Sequence, residues 1–318
     1  MSESKDTSTR GMKDVSRKPD TLRTARAQAV IHMPAFCIPL LREARTDKGD
    51  ALGAARVAGV MAVKRTWELI PLCHPLPIQD ATVTFDLGDD TVTIEVTVQV
   101  LSNTGVEMEA LTGASVAALT LYDMLKPHAG MDLLVDGIKL LEKRGGKSHY
   151  RRQVPEAISG AVIVLSDTVA AGKAEDKAGE GVRQQLAQAN IVCPPADVIA
   201  DEPEQLRQRI DHWLQQGAQL IVTVGGTGIG ARDRTVETVR PMLDMEIPGI
   251  MEAARQHGQR RLPYAMLSRG VAGLIGQTLV LTLPGSTRGS QEYLDALIAG
   301  VVHAFSVIKG EPHKHGHH

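Results

Sequence analysis

The segment ATVTFDLGDDTVTIEVTVQV, residues 81–100, sets two runs of apolar–polar alternation on either side of a GDD turn. Alternation of period two marks a strand with one buried face, and two strands joined by so short a turn must run antiparallel. The stretches DALGAARVAGVMAVKRT before it and VEMEALTGASVAALTLYDMLK after it carry helical spacing instead. From about Thr21 to Lys143 the chain is therefore expected to build an antiparallel sheet with helices, an α+β unit and not a doubly wound one.

Periodicity breaks at RGGKSHYRRQVPEAISG and a different pattern follows. AVIVLSD is a continuous apolar strand, KAGEGVRQQLAQANI a helix, ADVIAD a strand, PEQLRQRIDHWLQQG a helix, and AQLIVTVGGTG a strand running into glycines. Strands alternating with helices of this length imply right-handed crossovers and a mostly parallel sheet covered on both faces, so the second half is expected to be a three-layer α/β domain. The divisions expected are a disordered polar lead-in over residues 1–17, a first domain over 18–148 with a ferredoxin-like α+β arrangement, a linker over 149–158, a second domain over 159–311, and a His-rich tail over 312–318. No internal repeat relates the two halves.

A chain of 318 residues with 43% hydrophobic composition suits two globular domains, each with a substantial core. The net charge of −2 gives no basic field for nucleic acid or an anionic membrane, and 3% aromatic content leaves little for base stacking. Neither nucleic acid nor membrane is expected as a partner. Three cysteines, Cys37, Cys73 and Cys193, far apart and never in a CxxC pair, fit free thiols in a reducing compartment, hence a cytoplasmic protein. The N-terminal residues contain no apolar core segment of a signal or anchor, and the closing HKHGHH, with four histidines in six residues, fits a metal-binding tract or a tag.

In WELIPLCHPLPIQD three prolines surround Cys73 and His74. A zinc site needs three or four ligands, and no companion stands at ligand spacing; a thiolate nucleophile needs a base signature that is also missing. The prolines restrict the backbone around His74, which suits either a site residue or a buried histidine with a backbone partner. Asp123 and Lys126, three apart in YDMLK, share a helix face as an ion pair or as a pair acting on substrate. Glu107 and Glu109 stand at a helix start, where the macrodipole favours carboxylates, and Lys48 precedes another helix in TDKGD. In the second half, TVGGTGIGARDRT follows a strand and precedes a helix, so its glycines let backbone approach a ligand; it has neither Walker nor GxGxxG spacing. Asp233 adds a hard oxygen suited to Mg2+ beside phosphate.

Together the blocks KGDALGAARVAGVMAVKRTWELIPLCHPLPI, TGVEMEALTGASVAALTLYDMLK and GGKS resemble the MoaC family, the cyclic pyranopterin monophosphate synthases of molybdenum cofactor biosynthesis. The resemblance implies conversion of a cyclised dihydroguanosine triphosphate, a pterin-precursor nucleotide, to cyclic pyranopterin monophosphate with loss of diphosphate, and no cofactor. It implies Asp123 as acid/base with Lys48 and Lys126 as catalytic partners. Leu72, Cys73, His74, Met108 and Glu109 are implied to line the substrate.

VLSDT, DKAG, VGGTGIGARDRTVET, EIPGIMEAAR and SRGVAGLIGQTLVLTLPGS resemble the MoaB and MogA family of molybdopterin-binding proteins and molybdopterin adenylyltransferases. This implies molybdopterin as ligand and AMP transfer from Mg-ATP, with Asp201 and Asp233 as the catalytic acidic pair that holds the metal. Gly225, Gly226, Thr227 and Gly228 are implied on one side of the pocket, with Ser268, Pro284, Gly285 and Ser286 on the other. A synthase carrying a non-catalytic molybdopterin-binding module is the alternative. The two resemblances also imply threefold assemblies, so a homo-oligomer of three or six chains is expected.

Overall fold

The computed structural model describes residues 11–146 and 156–310. Residues 1–10 of the expected lead-in, most of the expected linker, and the His-rich tail lie outside the described residues. The chain separates into two compact units that divide between Gly146 and Lys147.

In the first unit, β1 (Thr21–His32) is followed by helices α1 (Cys37–Arg42), α2 (Ala51–Lys64) and α3 (Thr66–Leu69). The hairpin β2 (Asp80–Leu87) and β3 (Thr91–Ser102) comes next, then the long helix α4 (Glu107–Ala129) and β4 (Leu134–Arg144). The sheet has the order β2-β3-β1-β4, and every pairing in it is antiparallel. Along β3 the residues Val92, Ile94, Val96, Val98 and Val100 are fully buried, and on β1 Ala25, Ala27 and Ala29 alternate in the same way. The register sets Ala25 opposite Val98, Ala27 opposite Val96 and Ala29 opposite Ile94. This apolar face meets the buried stripe of α4, Ala110, Gly113, Ala114, Ala117, Ala118, Leu121 and Leu125. Small residues on α4 let it lie close to the sheet and to α2, where a Cβ on Gly113 would stand 2.6 Å from Val63.

The second unit starts with β5 (Ile158–Leu165), whose first residue, the last of the expected linker, already pairs with Ile191. It continues through α5 (Asp167–Ala170), α6 (Lys177–Ala187), β6 (Ile191–Val192), β7 (Asp197–Ile199), α7 (Pro203–Gln215) and β8 (Leu220–Val224). After these come α8 (Thr235–Val239), β9 (Met245–Glu246), α9 (Pro248–Gln259), β10 (Ala272–Ile275), β11 (Thr278–Leu283) and α10 (Thr287–Ile308). Strands β6, β7, β8 and β11 join the sheet in parallel pairings, whereas β9 and β10 form an antiparallel edge. One face carries α6, α9 and α10 and the other α7 and α8, each with its own apolar core. The sheet is thus mixed, mostly parallel and covered on both faces, as continuous apolar strands require.

Candidate active sites

The C-terminal end of α4 and a tight turn before α2 create the first cluster. Gly49 N–H donates to Thr46 O at 2.9 Å and Thr46 Oγ1 donates to Gly49 O at 2.6 Å, with Gly49 at φ +91°, a conformation glycine tolerates. Asp50 then caps α2 by accepting from Gly53 N–H at 2.9 Å. Lys48, held in this turn, places Nζ 2.6 Å from Asp123 Oδ2 and 3.1 Å from the Asp123 carbonyl oxygen. Lys126 Nζ lies 2.7 Å from Asp123 Oδ1. Hydrogen bonds from Lys126 and then Lys48 hold the Asp123 carboxyl down at about 2, and Asp123 in turn raises the Lys126 ammonium. At neutral pH this is one carboxylate clamped between two cations, open to solvent.

The second cluster lies at the other end of α4. The loop after α3 turns through a Cys73 N–H to Ile70 O bond of 3.0 Å and reaches the sheet where Gln79 N–H donates to Gln99 O at 3.2 Å. It leaves Leu72 exposed and Cys73 and His74 half-buried. Burial raises the Cys73 thiol, and the nearby Glu109 carboxylate raises it further. Met108 is exposed, whereas Glu109 is buried. That burial, reinforced by Glu107, lifts the Glu109 carboxyl from 4.5 to about 7. Fourteen residues of α-helix separate Glu109 from Asp123, about 21 Å. The first-unit residues picked out from sequence therefore form two groups, Lys48, Asp123 and Lys126 at one end of α4, and Leu72, Cys73, His74, Met108 and Glu109 at the other.

In the second unit the ten chosen residues converge. Asp201, Gly225, Gly226, Thr227, Gly228, Asp233, Ser268, Pro284, Gly285 and Ser286 all line one cleft of about 660 Å³ at the C-terminal ends of β5, β8 and β11, where open α/β sheets place ligands. Gly225 and Gly226 take φ of +118° and +63° as β8 ends. Thr235 fixes that turn, with Oγ1 donating to Gly225 O at 2.9 Å and N–H to Gly226 O at 3.1 Å. Ser286 caps α10 by accepting from Gly289 N–H at 3.2 Å, and Asp176 caps α6 by accepting from Gly179 N–H at 2.8 Å. Two long helices thus begin at the cleft, and helix N-termini favour anions.

Sequence reasoning passed over several residues that shape this cleft. Asp167 and Asp201 are latched reciprocally, Asp201 N–H to Asp167 Oδ1 at 3.1 Å and Asp167 N–H to Asp201 Oδ2 at 3.4 Å, while Arg232 reaches Asp167 at 2.8 Å. Arg269 donates to Gly228 O at 2.6 Å and Asp233 O at 2.7 Å and pairs with Glu237, tying the glycine loop down. Asp167 and Arg269 stand inside the quoted blocks VLSDT and SRG, but only the fold brings them to the loop. Burial first, then the charges of Asp167 and Asp233, raises the Asp201 carboxyl against the opposing pull of Arg232. Among the described residues no group of three or more His, Cys, Asp or Glu is set to hold a metal by itself. Two carboxylates that repel each other beside an anion cradle nonetheless fit a Mg2+ that keeps its waters and rides on phosphates.

The MoaC family matches residues 12–146, and the family described as "Probable molybdopterin binding domain" matches residues 161–304. The molybdenum cofactor biosynthesis bifunctional protein of Chlorobaculum tepidum is 41% identical over 302 residues, covering 95% of this chain and 96% of that one. Its namesake in Synechococcus elongatus is 38% identical over 315 residues, covering 95% and 98%. The cyclic pyranopterin monophosphate synthase of Thermomicrobium roseum is 50% identical over 149 residues, 46% of this chain and 89% of that one. Among solved structures, the molybdopterin biosynthesis enzyme MoaB from Thermus thermophilus is 39% identical with a TM-score of 0.46, covering 49% of this chain and 99% of that one. With a MoaC half, a molybdopterin-binding half, and relatives alike over almost their whole length, the chain belongs to the bifunctional proteins of molybdenum cofactor biosynthesis.

Proposed function

We propose that the first unit converts a cyclised dihydroguanosine triphosphate to cyclic pyranopterin monophosphate with loss of diphosphate, and that the second adenylylates molybdopterin with Mg-ATP. The observation that carries the first half is the Asp123 carboxylate clamped between Lys48 and Lys126. The lysines supply the charge that a triphosphate requires and stabilise the departing diphosphate. Asp123, ionised at neutral pH, orients both ammonium groups. Glu109, titrating near 7, is suited to exchange protons with the ring system beside His74, Cys73, Leu72 and Met108.

For the second half, the support is the meeting of glycine loop, helix N-termini and acidic pair in one cleft. Bound Mg2+ neutralises phosphate charge and aligns the nucleotide. Asp201 and Asp233 hold it, the Gly225–Gly228 turn and the Pro284–Ser286 turn enclose the phosphate and pterin groups, and Ser268 with Thr227, 3.4 Å apart, closes one wall. One feature favours the non-catalytic alternative: Asp233 Oδ2 accepts from Gly230 N–H at 2.7 Å, so the carboxylate also closes its own turn.

Three coarser features belong to the same reading. The βαββαβ order with strands β2-β3-β1-β4 supports a ferredoxin-like first unit. Three free cysteines support cytoplasmic residence. The separation of the two residue groups along α4, with exposed Val57 and Leu119 on α2 and α4, supports a threefold homo-oligomer in which one copy supplies Lys48, Asp123 and Lys126 and a neighbour the Glu109 end.

Assaying the full chain tests both halves. Asp123→Asn is expected to lower pyranopterin formation by roughly 10²-fold or more and leave AMP transfer unchanged; near-normal turnover would refute the first assignment. Asp233→Ala should reduce AMP transfer far more than molybdopterin binding. Equal losses would mark Asp233 as a loop residue, and wild-type protein that binds molybdopterin without transferring AMP would establish the binding-module reading.

A further inference from the structure

We infer that Pro127 and His128, in the last turn of α4, are positioning residues that fix the Lys48 ammonium on Asp123; this rests on the proposed role of Lys48 at the first site. In an α-helix the N–H of each residue donates to the carbonyl four positions earlier, so the partner of the Asp123 carbonyl belongs to residue 127. That residue is proline, which has no N–H and whose ring crowds that same carbonyl. The Asp123 oxygen is therefore without its helical donor, and Lys48 Nζ hydrogen-bonds it at 3.1 Å while also holding Oδ2 at 2.6 Å. A flexible lysine tied to one exposed carboxylate samples many rotamers; two acceptors on the same residue restrict it.

The next residue fixes the backbone from which Lys48 springs. His128, whose side chain is only 19% exposed, sets Nε2 3.3 Å from Asp47 N and 3.5 Å from Asp47 Oδ1. A neutral ring accepts the Asp47 N–H, and a protonated ring donates to the Asp47 carboxylate instead, so the turn stays tied to the helix in either state. Lys48 is thus held through its neighbour Asp47 by His128 and at its tip by a carbonyl that Pro127 leaves without a helical donor. Proline is the residue least suited to a helix interior, and its position four after Asp123 has a specific consequence here. Neither residue touches the reacting atoms; both act through Lys48.

The experiment uses the full chain and its Pro127→Ala, His128→Leu and His128→Gln variants. Trace acetylation with acetic anhydride, read by mass spectrometry, compares Lys48 with Lys126, alongside kcat and KM for pyranopterin formation and thermal melting. Pro127→Ala returns an N–H to the Asp123 carbonyl, so Lys48 should label roughly two- to fivefold faster, the scale of one exposed charged contact. Lys126 should label as before, kcat should fall with KM little changed, and the protein should melt higher because alanine suits the helix. Lower turnover in a more stable protein separates positioning from a merely structural role. His128→Leu should also free Lys48, while His128→Gln, whose amide can both accept and donate, should keep wild-type labelling. Unchanged Lys48 labelling in both Pro127→Ala and His128→Leu, or an equal rise at Lys126, would overturn the inference. Absence of pyranopterin formation in the wild type would refute the functional reading alone, since the labelling comparison does not depend on turnover.

Discussion

Glu109 sits in the first turn of α4, where the helix dipole favours a negative charge, yet its carboxyl titrates near 7 because burial outweighs the dipole. The folded protein holds this proton up to about pH 7, whereas the unfolded chain releases it around 4.5. A raised carboxyl contributes stability that is fully present below 4.5 and is lost as pH rises through 7. Glu109→Gln should therefore match the wild type near pH 4.5 and exceed it above pH 7.5 by on the order of 2–3 kcal/mol; calorimetry across that range checks it. A constant difference at all pH would mean that Glu109 is not buried as a proton-holding acid. The residue was legible as belonging to a helix start, but its burial was not, because that depends on tertiary packing. Asp123 and Lys126 could be paired from their spacing alone, whereas Lys48, 75 residues from Asp123 in sequence, was joined to them only through the family resemblance.

Elements repeat this division between local and long-range information. The β2–β3 hairpin was legible because its alternation and its turn are local, and the second-half strands because continuous apolar runs between helices have few other uses. β1 was harder to read: TARAQAVIH buries alanines on its inner face, and alanine is common in helices. Its buried residues are small because α4 lies close, a reason that exists only once the sheet is assembled. The same closeness sets the behaviour of Gly113. A Cβ there meets Val63 at 2.6 Å, Val96 at 3.2 Å and the Gly59 carbonyl at 3.3 Å, so two elements must give way. Helix propensity favours alanine by about 1 kcal/mol, while overpacking costs about 1–3 kcal/mol. Gly113→Ala is thus expected to be destabilising overall. Gly300→Ala, in an exposed turn of α10 with nothing within 4 Å of the added carbon, should instead be stabilising by roughly 0.5–1 kcal/mol. Urea unfolding of the two variants should shift the midpoint in opposite directions, and a shared sign would refute the crowding argument.

At the scale of the whole molecule, each unit has its own core, and the second collects its site residues within one cleft. The first does not: about 21 Å of helix lies between the carboxylate clamp and the Glu109 end. In the proposed assembly, two copies related by a twofold axis would resolve this, since an isologous contact that set the start of one α4 beside the end of its neighbour's would create two composite sites. Such an axis within a trimer of dimers agrees with the proposed threefold assembly. The test is complementation between chains that are inactive alone. Asp123→Asn disables one end of α4 and His74→Ala disables the other, so a mixed pair carries one site with both defects and one with neither. Random pairing after co-expression makes half the pairs mixed, which restores about one quarter of the wild-type pyranopterin formation if the site is shared between copies. If each chain contained its whole site, every site would keep one defect and the mixture would be no more active than the average of the two variants. AMP transfer, measured in the same sample, should stay at the wild-type level and show that the chains are folded while the first activity is being redistributed.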